Sequence, residues 1–522
     1  MEKMYKELVI DIMSGEIKNS DDLQRAKIKL CRKYGLKRVP SNAELIAQIP
    51  ERHRQRVLEV LRLKPSRTLS GVAVVAVMTS PEDCPHGKCD YCPGGTTINT
   101  PQSYTGHEPA AMRGEDNGFD PYQQVYSRLE QLVRIGHNVD KVDLIIMGGT
   151  FTARDSDYQE WFVRRCFEAM NDFPRYMKNP EGTLAQAHQA NETAGARCIG
   201  LTVETRPDCF AGREVAKALE LGTTRVELGV QTTDDAILKS VHRGHGITES
   251  IKATRASKDA GLKVCYHMMP GLPGATLRSD LETFKEIFTN SNYKPDMLKI
   301  YPTLVIKGTK LYDMWKKGQY EPYELDDMVL LVAKIKAMLP PWVRVQRIQR
   351  DIPAKLIEAG VQKSNLRQLA RNRLKEQGKL CRCIRCREVG RQRPTGSGGG
   401  GGWKFELVKQ KYEASGGTEA FISFEDKEKD VLVGYARVRK PGQDHHAFLR
   451  ELKVLGREVP INQREEEWWQ HKGYGTKLLQ ESELLVKSWG KDELRVTSGV
   501  GVRGYYKKHG YRKIGPYMVR KL

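Results

Sequence analysis

From about residue 70 the chain alternates short apolar runs with segments of helical period. "VAVVAVM" (Val72–Met78) is an unbroken apolar run of strand length, the pattern of a strand covered on both faces. "YQQVYSRLEQLVRIG" (Tyr122–Gly136) sets Val125, Leu129, Leu132 and Val133 on one helical stripe. Further strands are predicted at "VDLIIMGG" (Val142–Gly149), "CIGLTVE" (Cys198–Glu204), "RVELGVQ" (Arg225–Gln231), "KVCYHMMPG" (Lys263–Gly271) and "MLKIYPTLV" (Met297–Val305). Helical segments fall between them at Gly212–Leu221, Thr248–Ala260 and Arg278–Phe288. Six strands joined by crossovers predict an α/β fold, a parallel βα barrel, complete or partial. Chemistry in such a barrel gathers at the carboxyl ends of the strands.

The flanks read differently. Residues 1–65 are basic and helical. "DDLQRAKIKLCRKYGL" has acidic residues at its start, Gly35 at its stop, and Leu23, Ala26, Lys27 and Leu30 on one side. "ERHRQRVLEVLRLK" (Glu51–Lys64) is an Arg-rich amphipathic helix, either a solvated face or an arm for phosphates. The expected divisions are a helical region at 1–65, the barrel domain at 66–365, a linker at 366–402 and an α/β domain at 403–522. Within the linker, "GSGGGGG" (Gly396–Gly402) is flexible by composition and regular enough to suggest a replaced loop.

Composition narrows the functional classes. The chain has 522 residues, 39% hydrophobic and 29% charged, enough for three or four domains. No apolar run approaches membrane-spanning length, and the opening "MEKMYKELVIDIMSGEIK" is unlike a signal peptide, so a cytoplasmic location is expected. Eleven cysteines, an odd number and mostly clustered, favour metal binding over disulfides. The formal net charge of +21 favours a polyanionic partner, with nucleic acid first.

The first cysteine cluster, "CPHGKCDYCPGG", puts Cys84, Cys89 and Cys92 on a loop directly after the first strand. Three thiolates could hold a 4Fe-4S cluster with one iron left open, or a zinc ion with a fourth ligand such as His86. A second triad, Cys381, Cys383 and Cys386 in "CRCIRC", suits structural zinc, with no fourth ligand identifiable. "QHKGYGTKLL" (Gln470–Leu479) is a glycine turn opening a helix, a place where backbone N–H groups receive phosphate. Tyr505 and Tyr506, read as strand or extended turn, would point opposite ways, one to the core and one to a site.

Taken with "MGGTF", these features resemble the radical S-adenosylmethionine (SAM) superfamily, although Cys84-x4-Cys89-x2-Cys92 departs by one residue from its usual Cys-x3-Cys-x2-Cys. "TPQSYTGHEPAAMR", "TVETRPD", "HRGH", "HMMPGLPG", "KIYPTLVIKGTKLY" and "RVQRIQRDIPA" extend the likeness over nearly the whole chain. Together they resemble the Elongator protein three family, in which a radical SAM domain precedes a GCN5-related acetyltransferase domain.

That resemblance implies a 4Fe-4S cluster on Cys84, Cys89 and Cys92, with SAM at its open iron and Gly148 and Gly149 near the SAM amino group. It implies acetyl-CoA contacts at Glu451, Leu452, Lys453 and Val454, at Tyr474, Gly475 and Thr476, at Tyr506, and in the barrel at Lys141. Tyr506 and Lys141 are the residues it points to for control of turnover. The implied activity is carboxymethylation of the wobble uridine of tRNA, read at the anticodon stem-loop. A 5′-deoxyadenosyl radical takes hydrogen from the acetyl methyl, and the carbon radical adds to C5. An electron donor and Elongator-type subunits or a homodimer are implied as partners. The alternatives are a protein lysine acetyltransferase using the barrel as a platform, and a tRNA-binding scaffold inert without partners.

Overall fold

The computed structural model describes residues 2–49, 53, 57–58, 60–63, 68, 70–177, 182–392, 402–442, 445–456 and 472–522. Most of the Gly396–Gly402 run, much of Glu51–Lys64, and Gln470 and His471 lie outside the described residues.

The first sheet is formed by β1 (Ala73–Met78), β2 (Lys141–Met147), β3 (Arg197–Thr205), β4 (Arg225–Gln231), β5 (Lys263–Met268), β6 (Met297–Ile300) and, after the short β7 (Val305–Ile306), by β8 (Arg344–Ile348). Its order is β1-β2-β3-β4-β5-β6-β8, and all its pairs are parallel. Among the described residues β1 and β8 do not pair with each other, so the barrel is partial. β7 pairs instead with β9 (Ile357–Ala359). The expected Met297–Val305 strand is therefore two, divided around Pro302, which cannot donate to a ladder. β8 is a seventh strand beyond the six read from periodicity. Three of its five residues are Arg or Gln, which hides it from an apolar-pattern search.

Strand alternation sorts the barrel's side chains. Val226, Leu228 and Val230 of β4 join the core beneath the helices, while Glu227, Gly229 and Gln231 line the interior cavity. The same period puts Val264, Tyr266 and Met268 of β5 in that core and His267 on the cavity. The lumen is thus polar, unlike the apolar filling of a closed barrel.

The C-terminal sheet runs β10 (Glu406–Ala414), β11 (Gly417–Asp426), β12 (Val431–Lys440), β13 (His446–Val454), β14 (Glu493–Val496), β16 (Tyr517–Lys521), β15 (Arg512–Ile514). All its pairs are antiparallel except β13–β14. This domain docks on the amino ends of the barrel strands. The turn Val500–Val502 packs so closely there that a side chain at Gly501 would strike Arg197 and Cys198 at the start of β3.

A fully buried ionic core holds the two domains together. Arg450 of β13 donates to both oxygens of Asp296, just ahead of β6, at 2.7 and 2.6 Å, and to Glu419 at 2.7 Å. Lys258 lies 3.4 Å from Glu419 and 3.7 Å from Asp296. Arg439 reaches Glu419 at 3.0 Å and Asp259 at 2.9 Å.

The N-terminal helices Glu2–Ser14, Ser20–Lys33 and Asn42–Ala47 enclose a small core of their own, including Met4, Leu8, Leu23, Leu30, Leu45 and Leu61. Lys27 is buried on that inner side and donates to Asn42 at 3.0 Å. No helix among the described residues is long and apolar enough to cross a membrane.

Candidate active site at the two ends of the half-barrel

The loop after β1 is braced before any metal is considered. Cys84 N–H donates to Gln102 Oε1 at 2.7 Å, and Gln102 Nε2 donates to the Gly87 carbonyl at 3.1 Å. Lys88 Nζ donates to the Gly94 carbonyl at 2.8 Å. Asp90 is pinned from below, where its N–H donates to Val241 O at 3.1 Å and its carboxylate meets His242 at 2.9 Å. Arg243, from the same "HRGH" stretch, is buried and directs Nη1 to Cys89 Sγ at 3.7 Å and Nη2 to Gly229 O at 2.7 Å.

Cys84, Cys89 and Cys92 all line one cavity of about 1150 Å³ at the carboxyl ends of the strands. Burial, with Cys89 next, pushes the Cys92 thiol up to about 11, and burial also raises Cys84. Such thiols need a bound cation to become thiolates. Among the described residues, Cys381, Cys383 and Cys386 bring their sulfurs within 4.8 Å of one another, whereas the 84–92 triad is spread more widely. One zinc ion, with Zn–S near ~2.3 Å, requires the tight grouping, so the wider triad fits a multi-iron cluster better. His86 Nε2 is 3.2 Å from Cys89 Sγ, a loop contact. Of the glycine pair, Gly149 lines the cavity while Gly148 packs on β1, where a Cβ would collide with the Thr79 hydroxyl.

Below the cysteines the cavity wall becomes a chain of buried charges. Tyr104 O–H donates to Glu204 at 2.8 Å, and Lys299 donates to Glu204 at 3.1 Å and also pairs with Glu227. His267 Nε2 is 2.8 Å from Glu227. Glu227, Cys265 and His267 have a metal-like grouping, but the Lys299 ammonium already supplies the cation there. Arg225 continues the chain, 3.4 Å from Glu227 and 3.4 Å from Asp143. Sequence reading missed this network. Its signal was polar residues on the alternate positions of strand patterns: Arg225 and Glu227 in one, and Lys263, Cys265 and His267 in the next.

At the opposite, amino end of the lumen stands β13. Residues 446–449 pair with β14, which ends at Val496, and the next residue, Arg450, is the site of a register shift against β12. Glu451, Leu452, Lys453 and Val454 then pair only with β12, leaving their other edge open among the described residues. The Glu451 carboxylate faces inward. It accepts from Tyr435 O–H at 2.9 Å and Arg437 Nε at 2.8 Å. Burial would raise it, but Arg437, Lys263 and Lys453 hold it down to about 2. Tyr474, Gly475 and Thr476 open the helix Tyr474–Ser488 just past that edge.

Tyr505 and Tyr506 lie on the short helix Arg503–Lys508, not on the strand or extended turn expected, so they are splayed by about a helical step instead of pointing opposite ways. Tyr506 is packed in the domain core between Tyr505 and Tyr511. The Tyr505 hydroxyl is buried against Gly475 without a well-formed hydrogen bond. Lys141 opens β2, paired with Arg197, at the barrel end where the Val500–Val502 turn docks. Its ammonium is 3.9 Å from Asp140.

In the second triad, hydrogen bonds from Cys381 and Cys386 hold Cys383 below the ordinary thiol range. Lys336 donates to Cys386 at 3.6 Å. Among the described residues no His, Asp or Glu completes that group.

Comparison with known proteins agrees with this layout. Residues 1–69 match the model of the ELP3 N-terminal domain, 78–287 the radical SAM superfamily, 295–376 the radical SAM C-terminal domain, and 376–511 the acetyltransferase (GNAT) family. The chain is 49% identical to the tRNA uridine(34) acetyltransferase of Methanocaldococcus jannaschii, over 92% of this chain and 90% of that one. It is 42% identical to human Elongator complex protein 3, over 96% and 93%. The solved structure of an N-terminally truncated archaeal Methanocaldococcus infernus Elp3 superposes with a TM-score of 0.75 at 44% identity, covering 87% of this chain and 99% of that one.

Proposed function

The chain belongs to the Elongator protein three family, and from that premise we propose that it modifies the wobble uridine of tRNA, joining the two-carbon unit of acetyl-CoA to C5 to give 5-carboxymethyluridine. The observation that carries this reading is a cysteine-lined cavity at the carboxyl ends of the barrel strands and an acyl-CoA-type strand edge at their amino ends, joined by the buried charges of Glu204, Lys299, Glu227 and Arg225.

Cys84, Cys89 and Cys92 would hold a 4Fe-4S cluster, and Gly149 leaves room beside it for SAM. When bound, these two supply a 5′-deoxyadenosyl radical able to take hydrogen from an unactivated methyl group. The chain's own residues do the rest. Arg243 screens the charge of the cysteine loop from below. The open edge at Glu451–Val454 offers backbone groups to the pantetheine arm, and the N–H groups of Gly475 and Thr476 receive the pyrophosphate. Tyr506 is assigned to the thioester and Lys141 to a CoA contact from the barrel side, by family resemblance. Cys381, Cys383 and Cys386 are assigned to structural zinc. The proposed units of the chain are 1–65, 66–365, 366–402 and 403–522. An electron donor, and Elongator-type subunits or a second copy of the chain, complete the proposed system.

The lysine acetyltransferase reading is not favoured. Such an enzyme needs a base that titrates near neutrality, and Glu451, at about 2 and committed to Arg437, is not one.

The test is reconstituted protein incubated with SAM, reductant, acetyl-CoA and tRNA, followed by nucleoside mass spectrometry. 5-Carboxymethyluridine should form, and should vanish in the Cys84→Ala/Cys89→Ala/Cys92→Ala variant while acetyl-CoA binding persists. Undiminished product from that variant would sink the reading.

A further inference from the structure

β8 is the free edge of the half-barrel, and a second cavity, of about 610 Å³, runs along it. Its walls hold four arginines, Arg347, Arg350, Arg367 and Arg385, against one acid, Asp351. The acid is spent on Arg347, 2.7 Å away. Arg350 is held by the Ser103 carbonyl and lies 3.9 Å from Glu108.

Arg367 and Arg385 have no carboxylate. Arg367 turns one Nη toward the carbonyls of Val345 and Gln346 of β8, at 3.4 and 3.3 Å. Neither residue joins an ion pair among the described residues. The nearest acid on that side, Glu388, is shared by Arg344 at 3.1 Å and Arg391 at 3.2 Å. The thiols of Cys381, Cys383 and Cys386 also bear on Arg367, but Lys336 already faces them. Gln346, Gln362 and Ser364 add neutral polar groups to the same walls. Two half-sheltered guanidinium groups kept together with no carboxylate paired to either among the described residues are costly unless an anion joins them.

We propose that Arg367 and Arg385 form a binding site for one phosphodiester of the RNA backbone, next to the nucleotide whose base enters the cysteine-lined cavity. This rests on the tRNA-modification reading above. The position argues for RNA over the phosphates of CoA. The cavity shares Arg347, Arg350 and Asp351 with the cysteine-lined one, whereas the open edge of β13 lies at the opposite end of the strands. A base splayed from its loop leaves its flanking phosphates near the mouth it enters. Guanidinium forks fit those oxygens two at a time.

The experiment measures binding of a uridine-34 anticodon stem-loop RNA to the full chain at several salt concentrations. Arg367→Gln and Arg385→Gln should each weaken binding about tenfold, as expected for loss of a charge-assisted hydrogen bond. Each should flatten the slope of log affinity against log salt by about 0.7, the value for one single-strand phosphate. Wild-type protein supplies the second arm. One uncharged methylphosphonate is placed in turn at the phosphates flanking position 34. One of these RNAs should bind wild type about tenfold more weakly and the Arg367→Gln variant with no further loss. Unchanged slopes in both variants, or additive losses at every methylphosphonate position, would overturn the subsite. Loss of acetyl-CoA affinity with RNA affinity intact would overturn it too. If wild type itself bound RNA without salt dependence, the failure would lie in the tRNA reading.

Discussion

The Tyr505 hydroxyl lies against Gly475 at the start of a helix, whereas the Tyr506 ring is wedged between Tyr505 and Tyr511. These surroundings assign different losses to the two phenylalanine variants. Tyr505→Phe should weaken acetyl-CoA binding several-fold, about 1 kcal/mol for one hydrogen-bonding group, as read by calorimetry. Tyr506→Phe should leave tRNA affinity within about threefold but remove tRNA-stimulated CoA release, as read by thiol titration. Equal CoA release from wild type with and without tRNA would break that coupling. Glu451 carries a pH signature. Arg437, Lys263 and Lys453 hold its carboxyl down to about 2 in the folded chain, against 4.5 for a free glutamate side chain. A depressed carboxyl stabilises the fold above pH 4.5 and loses that contribution as pH falls through about 2. The shift amounts to about 3 kcal/mol. Melting temperature should therefore drop more steeply between pH 4.5 and 3 for wild type than for Glu451→Gln. At this scale the sequence was partly legible. The spacing of Cys381, Cys383 and Cys386 is a local signal, and the structure brings their sulfurs within 4.8 Å of one another. Arg225, Glu227, His267 and Lys299 were not seen as a set, because only the curl of the sheet brings three strands' inward positions together.

β13 does two jobs on either side of one irregular residue. Up to Leu449 it is a paired strand, and from Glu451 it is an open edge. Arg450, at the break, is fully buried and anchors the strand to Asp296 and Glu419. Removing one partner of a buried pair costs about 3–5 kcal/mol, so Asp296→Ala should lower the melting temperature markedly. It should also weaken acetyl-CoA binding, although Asp296 belongs to the barrel and is assigned no ligand. A variant with normal acetyl-CoA affinity would show that the anchor does not set the edge. Elements were the most legible scale in the sequence. The helix expected at Thr248–Ala260 forms at Ile247–Asp259, and that expected at Arg278–Phe288 forms at Leu277–Thr289. Misreadings fell where chemistry overrode pattern, as with polar β8 and the helix carrying Tyr505 and Tyr506.

For the whole molecule the governing quantity is the formal charge of +21. Affinity for tRNA should fall steeply with added salt, and filter binding across a salt series reads it directly. The N-terminal helices pack around their own core, and among the described residues Arg62 donates to the Gly136 carbonyl of the barrel domain at 2.9 Å. Deleting residues 1–65 should therefore cost much of the tRNA affinity and leave acetyl-CoA binding unchanged. A flat salt series, or a deletion that spares RNA binding, would refute this. The overall arrangement was the least legible feature. Resemblance named both large domains, but nothing in their patterns said that one would cap the amino ends of the other. That surface is written in isolated charges far apart in sequence.

The sealed ionic core between the domains has a consequence for descent. Lys258 and Asp296 on one side, and Glu419, Arg439 and Arg450 on the other, are completely hidden from water only while the halves stay together. A gene for either half, copied alone into another genome, would encode a protein with bare charges where its neighbour had been. A change of sign on one side would need a matching change on the other. The two catalytic halves are therefore bound to a common inheritance, passed on and altered as one unit, however widely each fold is used elsewhere.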